Sequence, residues 1–143
     1  MRLNGLSVAV ACSVGALAFA LACKSSTETS CGSGTAPSLV GTYNLLSYTI
    51  GANTITAPPA NGNLRFYPTL YGVTLNIPNG AGGFQTISDS GSYAIGGASC
   101  ISEASVLGNP QFTGTFTWTP ADSTLTVTGS AAGAVAASSW KKT

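Results

Sequence analysis

The chain has no histidine, and only five basic and four acidic residues are spread over its 143 positions. Without histidine the usual general base is missing, and with it the Ser–His–Asp and Cys–His arrangements. A charge content of 6% leaves no basic surface for a phosphate backbone, so nucleic acid is excluded as a partner. Sustained helical periodicity is absent as well. The 18 glycines and 7 prolines interrupt the sequence too often for long helices.

What chemistry remains is sparse. Asp89, Glu103 and Asp122 are the acidic residues beyond the N-terminal region, and each sits among polar or turn residues. Asp89 and Asp122 read as turn formers, and no spacing argues that two carboxyls converge as an acid/base pair. Cys100 has no histidine to activate it as a nucleophile. Gly80-Ala81-Gly82-Gly83 is glycine-rich but lacks the Lys-Ser/Thr of a phosphate loop, and no helical pattern follows it. It reads as a loop tip. Arg65 lies between Leu64 and Phe66, on the opposite strand face from both, and reads as a solvated strand residue. This inventory assigns no catalytic residue, no metal ligand and no cofactor, and the expectation is a protein that is not an enzyme.

What the chain does have begins at its N-terminus. Arg2 precedes an apolar run over residues 5–21, which ends at Ala20-Leu21-Ala22-Cys23 before the polar Lys24-Ser25-Ser26-Thr27. A positive start, a short apolar stretch and small residues at the end are the marks of a secretory leader. The run is marginal in length for a membrane span, which needs about 20 apolar residues. A cysteine at this point makes residues 1–22 resemble a bacterial lipoprotein signal peptide, with Ala20 where leucine is usual. That resemblance implies acylation of Cys23 and a membrane partner held through the lipid. Two or more acyl chains make a stable anchor. Lys24 after the cysteine is compatible with an outer-membrane location in a bacterial envelope, facing either the periplasm or the surface. Residues 23–37 contain few large apolar side chains and read as a flexible tether.

Cys31 and Cys100 then remain, in a compartment where disulfides persist. The expectation is one intramolecular bridge that staples the tether's end to the domain. Two free thiols or a metal pair are the alternatives, the latter disfavoured because the chain has no histidine to complete a site.

Residues 38–143 form one small domain. Five tyrosines, two tryptophans and many β-branched residues distinguish it from a disordered chain. In Phe112-Thr113-Gly114-Thr115-Phe116-Thr117-Trp118-Thr119 the aromatic residues and Gly114 share one face and the threonines the other. Such period-two alternation predicts a strand with one buried and one wet face. Thr124-Leu125-Thr126-Val127-Thr128 repeats the pattern after a turn over residues 120–123. Further strands are expected over residues 40–50, 64–67, 71–77, 99–107 and 134–141. Another surrounds Ile87, Tyr93 and Ile95, which share one parity. The Leu45-Leu46 doublet breaks alternation and predicts a bulge. About eight short strands with turns between neighbours give an all-β fold, an antiparallel up-and-down barrel, with a β-sandwich as the alternative.

Gly41-Thr42-Tyr43-Asn44-Leu45 resembles the Gly-x-Trp opening of lipocalins and lipocalin-like bacterial lipoproteins, with Tyr43 in the tryptophan's place. Asn63-Leu64-Arg65-Phe66-Tyr67 resembles their second strand and Ser90-Gly91-Ser92-Tyr93-Ala94-Ile95 a middle strand. The hairpin around Trp118 and the closing Ser139-Trp140-Lys141-Lys142-Thr143 are similar to their late strands. The resemblance spans about 105 residues in order, and it implies a barrel with a cavity for a small apolar or lipid-like ligand. Two readings of the aromatic set Tyr43, Phe66, Tyr93, Phe112, Phe116 and Trp118 stay open. It lines such a cavity, or it fills the core of a closed barrel. Likewise the small residues over 131–139 either leave space inside or let strands approach closely. The functional expectation is a non-enzymatic, membrane-anchored ligand-binding lipoprotein. The alternative is an envelope structural or protein-interaction module with a packed core and no ligand.

Overall fold

A computed structural model describes residues 30–143; the leader, Cys23 and the first residues of the tether lie outside the described residues. Nine strands follow in order: β1 (Gly41–Ile50), β2 (Asn53–Thr56), β3 (Asn61–Phe66), β4 (Leu70–Pro78), β5 (Phe84–Gly96), β6 (Cys100–Ser105), β7 (Phe112–Thr119), β8 (Thr124–Ala131) and β9 (Ala134–Lys142). Among the described residues there is no helix. From β3 onward each strand pairs antiparallel with the next, and β9 returns to pair with β1. Closure leaves β1 and β3 to β9 as an eight-stranded barrel and removes the open edges that a sandwich would keep.

The ninth strand was not anticipated. β1 pairs with β3 only over Gly41 to Asn44, and its upper half turns back on β2 from Ser47↔Thr56 to Ile50↔Asn53. The only apolar residue in β2 is Ile55, too little alternation to announce a strand.

The expected bulge is present. Pairing between β1 and β9 passes from Leu45↔Trp140 to Ser47↔Ser139, leaving Leu46 as the extra residue. The extra residue shifts the parity of everything after it. Inward positions on β1 are therefore Tyr43 and Leu45 before the bulge, and Tyr48 and Ile50 after it.

One end of the barrel is plugged. Tyr43, Phe66 and Leu125 are its largest fully buried side chains. Tyr43 meets Phe66 and Trp118 edge-on, with centroids 6.1 and 6.2 Å away, and Phe66 meets Tyr93 at 4.8 Å. Such pairs contribute about 0.5–1.5 kcal/mol each beyond the area they bury. The Tyr43 hydroxyl donates to the Leu39 carbonyl at 2.7 Å, so its polar atom is satisfied inside the core. Burial, followed by the influence of Tyr93, pushes its phenol up to about 12. The Lys142 ammonium lies 5.6 Å from the Tyr43 and Trp118 rings and donates to the Val40 carbonyl at 2.9 Å.

The N-terminal segment joins at this same end. Cys31 and Cys100 form a disulfide that links positions 69 apart in sequence. The Cys31 carbonyl accepts from the amides of Ala98 and Ser99, at 2.8 and 3.0 Å, in the β5–β6 turn.

Candidate binding cavity in the barrel

Away from the aromatic plug the barrel is hollow. The cause lies in the β8–β9 hairpin, where register pairs Ala131 with Ala134, Gly129 with Ala136 and Val127 with Ser138. All of these share the inward parity of Leu125 and Trp140, so small side chains point where a packed barrel has large ones. The result is a cavity of about 380 Å³, open at the end opposite the plug. Its apolar walls are Ile50, Leu64, Val73, Leu75, Phe112 and Val127, and Trp140 lies among them. The indole Nε1 of Trp140 donates to Ser138 Oγ at 2.8 Å, both residues lining the space. The small residues over 131–139 thus leave room inside.

The aromatic set divides between the two halves of the barrel. Phe112 lines the cavity. Tyr43, Phe66, Tyr93 and Trp118 form the plug, and Phe116 is buried in the core.

Two acidic residues face the hollow, and one corrects the sequence reading. Asp89 is not a turn former: it lies within β5, paired with Val73 of β4. Its ladder partners on both sides override the turn-like composition of residues 88–92 and keep the strand continuous. Tyr71 Oη donates to Asp89 Oδ2 at 2.7 Å, while Ser105 Oγ and the Ser90 amide donate to Oδ1 at 2.5 and 2.9 Å. Burial raises the Asp89 carboxyl's pKa, but hydrogen bonds from Ser105, Tyr71, Asn109 and Ser90 outweigh it and hold the group below its ordinary value. Tyr71 is pushed upward, by burial first and then by its bond to Asp89.

Glu103 also lies on the cavity wall, on β6 opposite Tyr93 and Phe112. No donor among the described residues reaches its carboxylate. Burial, and then the charge of Asp89, raise it to about 7. Strand parity carried the signal for both residues. Asp89 shares the parity of Ile87, Tyr93 and Ile95, and Glu103 that of Ile101. A carboxylate on an apolar face was the clue.

The other candidates lie elsewhere. Arg65 is exposed, with its guanidinium 4.9 Å over the Tyr67 ring. Asp122 sits in the β7–β8 turn, where its carbonyl accepts from Lys141. Residues 79–83 form the β4–β5 loop, with Asn79 Oδ1 accepting the amides of Ala81 and Gly83 at 3.1 Å. A wider groove of about 650 Å³ runs over the barrel's outside beside the disulfide, lined by Thr113, Thr115, Thr128 and Ser130 among others. It is an open, uncharged face that also takes in Ala94, Ile95 and Val135. Among the described residues no three His, Cys, Asp or Glu side chains gather as a metal site.

Exposed apolar side chains lie at the open end of the barrel, and Ile50 and Val135 among them line the cavity. Val106 is 75% exposed, Leu107 and Val135 each 61%, and Ile50 and Phe84 about half. Ile50, Phe84 and Val135 stand at strand ends and Val106 and Leu107 in the β6–β7 connection, all at the end where the β1–β2, β4–β5, β6–β7 and β8–β9 reversals lie.

No protein-family model, curated protein or solved structure matches the chain. The cavity's own geometry is therefore the ground for a functional reading. It can enclose a small apolar body and offer one unbonded carboxylate to a polar group.

Proposed function

We propose that the chain is a membrane-anchored, non-enzymatic, lipocalin-like lipoprotein that carries a small hydrophobic or lipid-like ligand inside its barrel. The observation that carries this reading is the open-ended apolar cavity of about 380 Å³. Small-molecule sites are concave, largely apolar and roughly 300–1,000 Å³ in size, with a few placed polar groups. The leader ending at Cys23 supports the anchor, and the disulfide suits an oxidising compartment.

Native mass spectrometry of the full chain purified from its host's envelope tests both parts. The expected spectrum shows acyl mass on Cys23 and a further discrete mass that organic extraction removes. A chain that never carries the extractable mass contradicts ligand carriage. The exposed Val106, Leu107 and Val135 favour a second reading, an envelope interaction module that uses these apolar side chains as its contact surface. In that case surface cross-linking through the rim recovers one specific partner, and the cavity stays bare.

A further inference from the structure

The polar groups of the cavity do not balance. Asp89 and Glu103 are the charged residues in its lining, and no lysine or arginine is among them. The basic residues of the described barrel are engaged elsewhere. Arg65 lies over Tyr67, Lys141 binds the Asp122 carbonyl, and Lys142 caps the plug at the opposite end. The hydroxyls of Tyr71 and Ser105 both donate to Asp89, and that of Tyr93 to the Tyr67 carbonyl. Asp89 is therefore satisfied by its own fold, and the half-buried Glu103 faces the open cavity with no donor from the described residues.

We infer that the ligand is an amphiphile bearing a protonated amine, its ammonium seated on Glu103 and its apolar body against Phe112, Val127 and Trp140. The inference rests on the cavity being a ligand site. A cation supplies at one stroke the donors that Glu103 lacks and the charge that offsets its repulsion with Asp89. A carboxylate ligand would add a third negative charge to the same space. A neutral alcohol donates a hydrogen bond but leaves that repulsion standing. The expected order is thus amine, then alcohol, then acid. Charge-assisted hydrogen bonds are about twice as strong as neutral ones, so the first step is roughly tenfold or more.

Over pH 6 to 8 the other ionisable groups around Glu103 hold still. Asp89 is held ionised by its donors, and Tyr48, Tyr71 and Tyr93 are all shifted upward by burial. Amine binding therefore tightens as pH rises through the Glu103 titration near 7.

The probes are hexylamine, 1-hexanol and hexanoate, titrated into the full chain in phospholipid nanodiscs with empty nanodiscs as the blank. Tryptophan fluorescence is the readout, since Trp140 lines the cavity. At pH 8 hexylamine is expected to bind at least about tenfold tighter than 1-hexanol, with hexanoate weakest. Glu103→Gln, which is isosteric and removes a buried charge, brings the amine down to the alcohol's affinity; Glu103→Asp keeps the preference. Equal binding of amine and alcohol, or a preference that survives Glu103→Gln, overturns the amine inference while leaving an apolar-ligand barrel intact. Failure of all three probes overturns the ligand reading together with it.

Discussion

A carboxylate that faces apolar walls without a donor gives the ligand-free barrel a pH dependence of its own. Glu103 is raised from an ordinary 4.5 to about 7, by burial first and the charge of Asp89 second. The folded chain then holds this proton more tightly than the unfolded chain does. Its contribution to stability is full below about pH 4.5 and is lost as pH climbs through 7, a change on the order of 3 kcal/mol. Asp89 works in the opposite sense, because its depressed carboxyl contributes above its ordinary value and is lost only in strong acid. Between pH 5 and 8 the slope therefore belongs to Glu103. Urea midpoints are expected to fall from pH 5 to pH 8 in the wild type and to stay level in Glu103→Gln, which is the more stable of the two at pH 8. A wild-type midpoint that rises over this interval contradicts the assignment.

Among the elements, the irregular N-terminal segment depends most on a single bond. Residues 31–39 have no ladder of their own; Leu39 is fixed by burial and its bond from Tyr43, while the Cys31–Cys100 bridge and the two amides on the Cys31 carbonyl hold the far end to the β5–β6 turn. Closing a loop of this length stabilises the folded state by roughly 4 kcal/mol through the entropy it removes from the unfolded chain. Reduction, or Cys31→Ser with Cys100→Ser, is expected to lower the urea midpoint by a corresponding amount while far-UV circular dichroism keeps its β signature. An unchanged midpoint means that the bridge adds nothing to the barrel's stability.

Strands with strict alternation were legible for a physical reason. In β7, and in β8 as far as Val127, every inward residue but Gly114 is large and apolar, so register and face follow from composition alone. The β1 bulge was legible too, because a Leu-Leu doublet cannot keep both residues on one side of a pleat. What escaped was decided by neighbours. Residues 88–92 have the composition of a turn, yet β4 and β6 extend their ladders along them. A Cβ at Gly91 would lie 1.9 Å from the Ala104 carbonyl, so this glycine serves a close strand approach rather than a reversal. The meeting of Asp89 and Glu103 follows from β5–β6 register, which no local pattern encodes. The division of the aromatic set likewise depends on which end of the barrel each strand position reaches.

Taken whole, the barrel is built with unlike ends. The described chain enters at the plugged end, beside the disulfide, and the mouth with its apolar rim opens at the other. The segment that precedes the barrel thus joins the domain at the end away from the cavity. Whether the hollow above the plug is a site or a flaw in packing has a direct test in Ala136→Leu. Ala136 faces inward, opposite Gly129 on β8 and Ile50 on β1, where the cavity lies. In a close-packed core such an enlargement forces strain and costs about 1–3 kcal/mol. Into a true hollow it buries new apolar surface and stabilises the empty barrel by roughly 0.5–2 kcal/mol. The expected outcome is a raised urea midpoint together with loss of hexylamine binding. The two readouts move in opposite directions only if the space is open and its ligand competes for it. A lowered midpoint would mean that the interior is already filled, and ligand carriage would lose its geometric basis.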